Sequence, residues 1–123
     1  MRTGIACRTR GPGRPNPLQG AKKVPHELRY RTGRAFRALG EPRRRAILEL
    51  LSADELPAGE VSRRFTEVSA PAVSQHLGVL KDAGLLIEHR DGTRRLYRTS
   101  TSALELLCTY LNDLHASSRR VRR

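Results

Sequence analysis

Ser69-Ala70-Pro71-Ala72-Val73-Ser74-Gln75-His76-Leu77-Gly78-Val79-Leu80-Lys81-Asp82-Ala83-Gly84 leads straight into Leu85-Leu86-Ile87-Glu88-His89-Arg90-Asp91-Gly92-Thr93-Arg94-Arg95-Leu96-Tyr97-Arg98. The first half carries Val73, Leu77 and Leu80 at spacings of four and three, the stripe of a helix with one buried face. Ser69 is a good N-cap, Pro71 suits the first turn, and Gly84 ends the run. In the second half, Asp91-Gly92 separates two short strand-like runs, which signals a two-residue hairpin turn. A turn centred there sets Arg90 opposite Thr93, His89 opposite Arg94, Glu88 opposite Arg95 and Ile87 opposite Leu96. Ile87 and Leu96 then form the buried pair, and Glu88 and Arg95 a cross-strand ion pair.

The flanks complete the pattern. From Pro25 a loose helical stripe of Leu28, Ala35, Phe36 and Leu39 runs to Gly40, which closes it. Pro42 opens a second helix with Ile47, Leu50 and Leu51 inward. Ser52-Ala53-Asp54-Glu55 reads as a loop, and Pro57 begins a short third helix burying Ala58, Val61 and Phe65. Beyond the hairpin, Leu104, Leu107, Leu111 and Leu114 recur at spacings of three, four and three on a closing helix. Four helices, a hairpin and a helix make a mostly α chain with a small β-hairpin. That is a winged helix-turn-helix with about five helices and a two-stranded wing.

The chain has 123 residues, one domain's worth, with 24 Lys and Arg against 12 Asp and Glu for a net charge of +12. Such an excess suits a polyanionic partner, nucleic acid or an anionic membrane surface. No apolar run approaches a membrane span and no apolar signal region follows the first residues, so a soluble, intracellular protein is expected. Aromatic residues are 4% with no Trp, too few to stack unpaired bases, which leaves double-stranded DNA as the partner. Cys7 and Cys108 cannot make a disulfide framework. Residues 1–24 hold six basic residues, no acid and little to bury, and are expected to be a disordered basic arm. The folded domain is expected over 25–116, with 117–123 as a basic tail. Between 25 and 118 the balance is 14 basic to 12 acidic, so the charge belongs mainly to the tails.

Ala38-Leu39-Gly40-Glu41-Pro42-Arg43-Arg44-Arg45-Ala46-Ile47-Leu48-Glu49-Leu50-Leu51, Pro71-Ala72-Val73-Ser74-Gln75-His76-Leu77, Ala83-Gly84-Leu85 and Arg90-Asp91-Gly92-Thr93-Arg94-Arg95-Leu96-Tyr97 together resemble the ArsR/SmtB family. These are small dimeric bacterial transcriptional repressors, and the resemblance covers about residues 35–115. Leu56-Pro57-Ala58-Gly59-Glu60-Val61 is most similar to the branch of autorepressors without a metal site.

Read from the residues, the fourth helix suits a major groove, where such helices present their N-terminal side chains to base edges. That end carries Ser69, Ala70, Ala72, Ser74, Gln75 and His76, hydrogen-bonding or small and without an acid. Gln pairs bidentately with adenine, Ser donates or accepts, and Ala meets a thymine methyl. Capping is the main work of Ser69, and His76 is open to either a base edge or the local backbone. Gly78 stands where the family often has a basic residue, which removes a phosphate contact. In the wing, Arg90 and Arg94 sit nearer the tip than Arg95 and are the expected backbone contacts. Arg43, Arg44 and Arg45 oppose the dipole of the second helix; Glu49 offers relief and a phosphate on Arg44 would offer more.

One helix-turn-helix reads too few base pairs, so a homodimer on an inverted repeat is expected. The resemblance implies pairing of first and last helices, here through Leu28, Leu104, Leu107, Leu111 and Leu114. Those leucines serve the monomer core as well. Asp113 and His115 match half of the family's last-helix zinc site, two ligands where zinc needs four, so no metal or other cofactor is expected. His26, His76, His89 and His115 fall on different elements with no nucleophile beside them, so no catalytic residues are assigned and the protein is not read as an enzyme. An inducer, if the protein has one, is not identified by its residues. Two other readings stand beside the repressor: a sequence-tolerant architectural DNA binder driven by the tails, and a winged helix used for protein interaction.

Overall fold

A computed structural model of the protein describes residues 26–121, with side chains from Leu28 onward. The basic arm expected at 1–24 and the end of the tail lie outside the described residues. Helix α1 spans His26–Leu39, α2 Pro42–Ala53, α3 Ala58–Arg64, α4 Ala70–Asp82 and α5 Thr101–Arg120. Strand β1 is Leu56–Pro57, β2 Leu86–Asp91 and β3 Arg94–Thr99, in the antiparallel order β1-β3-β2. Helix α5 runs on through residues 117–120, the first part of the expected tail. Residues 30–100 form one compact unit, and α5 belongs to a second.

The core of the first unit follows the expected stripes with two shifts. Val61 of α3 and Val73, Leu77 and Leu80 of α4 are buried as their spacing requires. On α2 the buried residues are Ile47, Leu48 and Leu51, while Leu50 is half-buried. The sheet decides this, because Thr99 Oγ1 donates to the Leu48 carbonyl at 3.0 Å and holds β3 against that side of the helix. On α1, Thr32, Ala35 and Ala38 turn inward and Phe36 and Leu39 are half-buried.

Leu56 and Pro57 form a third strand that periodicity does not reveal, pairing with Tyr97 and Leu96. A two-residue strand has no alternation to read. Pro57 lacks an N–H and is tolerated because β1 is an edge strand. It therefore precedes α3, as the N-cap, instead of starting it. Phe65 is the C-cap of α3 and is half-buried.

The hairpin turn is also displaced. Asp91 pairs with Arg94, Arg90 with Arg95, His89 with Leu96, Glu88 with Tyr97 and Ile87 with Arg98, so the two loop residues are Gly92 and Thr93. A turn on Asp91-Gly92 would have asked for left-handed backbone at Asp91 too, whereas here Gly92 takes it at φ +69 and Asp91 stays extended. Moving the turn by one position moves the pairing by two, so every side chain keeps its face. Arg95 thus still reaches Glu88, with 3.3 Å between Nε and Oε2, along a diagonal instead of directly across. Ile87 and Leu96 are not partners, and Ile87 is half-buried while Leu85, Leu86 and Leu96 are buried.

Two devices join α4 to the wing. At the end of α4 the Gly84 amide donates to Lys81 O at 2.9 Å and the Leu85 amide to Leu80 O at 2.9 Å. This is a Schellman closure, with Gly84 left-handed at φ +83 and the side chains of Leu80 and Leu85 both 0% exposed. Lys81 Nζ then meets Glu88 Oε1 at 2.8 Å. The hydrogen bond from Lys81 is the main reason the Glu88 carboxyl lies below the ordinary carboxylate range, with the charges of Lys81, Arg95 and Arg90 adding to it against partial desolvation. A carboxyl lowered by folding stabilises the native state above its unfolded pKa, and that contribution vanishes as pH falls through the folded value. We therefore expect wild-type stability to fall more steeply with acidification than that of Glu88→Gln, as followed by urea midpoints from neutral to acid pH. Parallel curves would remove Glu88 from the link between helix and wing.

Candidate nucleic-acid interface

The N-terminal half of α4 is presented by its own capping. Ser69 Oγ accepts from the Ala72 amide at 3.2 Å, which commits that side chain to the helix end. Val73, Leu77 and Leu80 anchor the opposite face, leaving Ala70, Pro71, Ser74 and Gln75 exposed and Ala72 and His76 half-buried. The first turn carries no acid. Gly78 is half-buried, and a Cβ there would meet nothing within 4 Å, so the helix has room for a methyl group at this position.

His76 faces a different task from its neighbours. Partial burial pushes the Glu41 carboxyl upward, but the Arg44 and Arg43 amides together with the charges of His76 and Arg44 outweigh it and leave the carboxyl lowered. His76 therefore lies beside the start of α2. Glu41 is the N-cap of that helix, with Oε1 accepting from the Arg44 amide at 3.0 Å and Pro42 following.

The arginines of α2 turn backward. Arg44 Nε donates to Ala38 O at 2.7 Å and Arg45 Nη1 to Leu39 O at 2.6 Å. Their charge opposes the dipole of α2 but sits on the last carbonyls of α1, where cations are favourable. Arg44 is thus bound into the α1–α2 corner. Glu41 and this corner were not legible from the charge run, although a Glu-Pro pair before a helix is a usable capping signal.

In the wing, Arg90 and Arg95 stand directly opposite one another and are both exposed. Like charges so placed repel, and the Glu88 carboxylate, 3.3 Å from Arg95 Nε, feels the charge of both. Arg94 Nη2 lies 4.0 Å from Asp91 Oδ2 on the other face, a long surface contact of small value. Glu55, in the supposed loop, holds the wing from behind: its Oε2 is 2.7 Å from His89 Nδ1 and 3.6 Å from Arg98 Nε. A lone Glu before a two-residue strand carries no pattern to announce this role.

The leucines assigned to a partner are not equivalent. Leu107 is 5% exposed, Leu28 and Leu104 are half-buried, and Leu111 and Leu114 are each 49% exposed. Cys108 is half-buried. Among the described residues no three His, Cys, Asp or Glu side chains group as metal ligands would, Asp113 and His115 included. No helix among them is long and apolar enough to cross a membrane.

A helix-turn-helix domain family matches residues 39–90. The HTH-type transcriptional regulator Rv2034 of Mycobacterium tuberculosis is 47% identical over 79 residues, 64% of this chain and 73% of that protein. The transcriptional repressor SdpR of Bacillus subtilis is 37% identical over 70 residues, 57% of this chain and 77% of that protein. Among solved structures, an ArsR-like transcriptional regulator from Rhodococcus sp. RHA1 superposes with a TM-score of 0.71 at 26% identity, covering 76% of this chain and 88% of that one. The family match over residues 39–90 runs through α2, β1, α3 and α4 and into β2, the elements that expose Ser74 and Gln75 and carry the first strand of the wing. The chain belongs to the ArsR family of winged helix-turn-helix transcriptional regulators.

Proposed function

We propose that the protein is a homodimeric repressor that reads an inverted repeat, with the N-terminal half of α4 in the major groove and the wing on the flanking backbone. The acid-free surface of Ser74 and Gln75, raised on a buried and capped helix, is the observation that carries this reading. Ala70 and Ala72 supply apolar contact at the same helix end, and His76 reaches the groove edge from beside α2. Arg90, opposed by Arg95, gains most from a phosphate. Arg94 is the second wing contact, and Arg44 acts on DNA through the corner it stabilises. The similarity to a protein named as a repressor supports repression. The protein works by binding, not as an enzyme, in the bacterial cytoplasm, with no metal sensing and with release by an inducer or by changes in protein concentration.

Duplexes selected by the protein from a random pool should contain two half-sites one helical turn apart, or a multiple of that. On such a site Gln75→Ala should cost about 1–3 kcal/mol while leaving random DNA almost unaffected. Arg90→Ala and Arg94→Ala should weaken both alike and each lower the salt slope by about one. Equal losses on selected and random DNA for Gln75→Ala would instead favour the architectural reading.

The dimer uses the exposed end of α5. Leu111→Glu and Leu114→Glu should yield folded monomers by sedimentation with strongly reduced affinity for the paired site, because each half-site alone is weak. Leu107→Glu should unfold the chain instead, since it places a charge at a buried position. A dimeric Leu111→Glu, Leu114→Glu double variant would remove this face from the interface.

Zinc, nickel or cadmium at stoichiometric levels should leave the affinity for the selected duplex unchanged. A tenfold loss, about 1.4 kcal/mol of coupling, would show that Asp113 and His115 complete a site in the dimer.

A further inference from the structure

Arg34 and Arg37 of α1, Arg44 of α2 and Val79 and Ala83 of α4 line one open cleft of about 360 Å³, with Ala38 between them. We infer that this cleft binds a small organic carboxylate with an apolar body, and that its occupation weakens DNA binding.

Among the described residues three arginines line the space and no acid does. Two of them are held in place by contacts that leave their charge uncompensated. Arg44 spends its Nε on the Ala38 carbonyl, and Arg34 lies over the Tyr30 ring at 5.7 Å from its centre. Among the described residues none of the three is salt-bridged to a carboxylate. Mutual repulsion in so small a space is relieved by one bound anion, and guanidinium forks fit a carboxylate in two-point fashion.

The other wall decides the kind of anion. Val79 is 37% exposed, an apolar side chain left open on α4 and continued by Ala83. A backbone phosphate would use the arginines and gain nothing from that wall. A carboxylate carrying an alkyl or aryl body uses both, and the volume lies in the range of small-molecule sites. Val79 is four residues beyond Gln75, one turn further along the same side of α4. A ligand seated on it therefore cancels positive charge one turn from the base-reading position. Coupling of this kind is reciprocal, so DNA must weaken the ligand as the ligand weakens DNA. The coupling rests on the DNA-binding reading above; the binding itself does not.

The test titrates the full chain, without DNA, against decanoate, phenylacetate, decanol and inorganic phosphate by calorimetry. At least one of the two carboxylates should saturate at one per chain, with decanol and phosphate each weaker by about tenfold or more. Arg37→Gln should reduce carboxylate affinity by about tenfold and Val79→Ser by about fivefold, with urea midpoints close to wild type. The saturating carboxylate should then lower affinity for the selected duplex, and duplex should lower affinity for the carboxylate by the same factor. Absence of saturable binding by both carboxylates, or binding indifferent to both substitutions, overturns the proposal. So does phosphate binding as tightly as the carboxylates, or a uniform loss of duplex affinity and salt slope in Arg37→Gln without carboxylate binding, which would make the cleft a seat for DNA backbone. Carboxylate binding that leaves duplex affinity unchanged overturns the coupling. A protein that binds carboxylate but no duplex overturns the repressor reading instead.

Discussion

The closure between Leu80 and Leu85 sets the direction of everything that follows α4. Gly84 takes a left-handed conformation, the Leu85 amide returns to the Leu80 carbonyl, and both leucine side chains lie fully inside. β2 leaves from that point. When the chain comes back along β3, the Ser100 amide donates to the Leu85 carbonyl at 2.8 Å, so the hairpin closes on the residue from which it set out. Any side chain at position 84 would be strained by the backbone there, although no neighbour would obstruct it. Helix α4 and the wing thus share one buried corner.

Around that corner, two carboxylates tie neighbouring elements together. Glu88 joins α4 to both strands through Lys81 and Arg95, and Glu55 joins the base of the wing through His89 and Arg98. Each such pair at the surface contributes little by itself. Glu88 nevertheless ties the end of α4 to both strands of the wing, and Glu55 bridges the two strands from outside the hairpin. The α1–α2 corner uses the same economy, with arginines tied to carbonyls that a helix end leaves open.

Periodicity carried most of the architecture. The stripe Val73, Leu77, Leu80 and the Ser69 cap were readable because each rests on local spacing and one residue's chemistry. The third strand was not readable, since Leu56 and Pro57 are strand only by virtue of Tyr97 and Leu96, which lie far along the chain. The choice of Leu48 over Leu50 likewise depended on Thr99. The hairpin is legible in the sequence but the position of its turn is not, because Asp-Gly and Gly-Thr both satisfy a two-residue loop and the strands decide between them. For the interface, the exposed residues of α4 were legible from the helix alone. What each arginine does was not, because Arg44 and Arg94 find partners through geometry that a charge count does not contain.

The displaced turn has a consequence for how such wings diverge. Because sliding the turn by one position shifts pairing by two, inside and outside are conserved under drift of the loop, and Arg90 and Arg95 remain on one side. Growth of the tip by two residues adds one pair to the ladder and leaves the base untouched. Growth by one must be absorbed in a longer loop or a bulge, or the outer strand would turn its faces over. Lineages of this fold are thus free to vary the reach of the wing in even steps, with the buried end at Leu86 and Thr99 indifferent to the change.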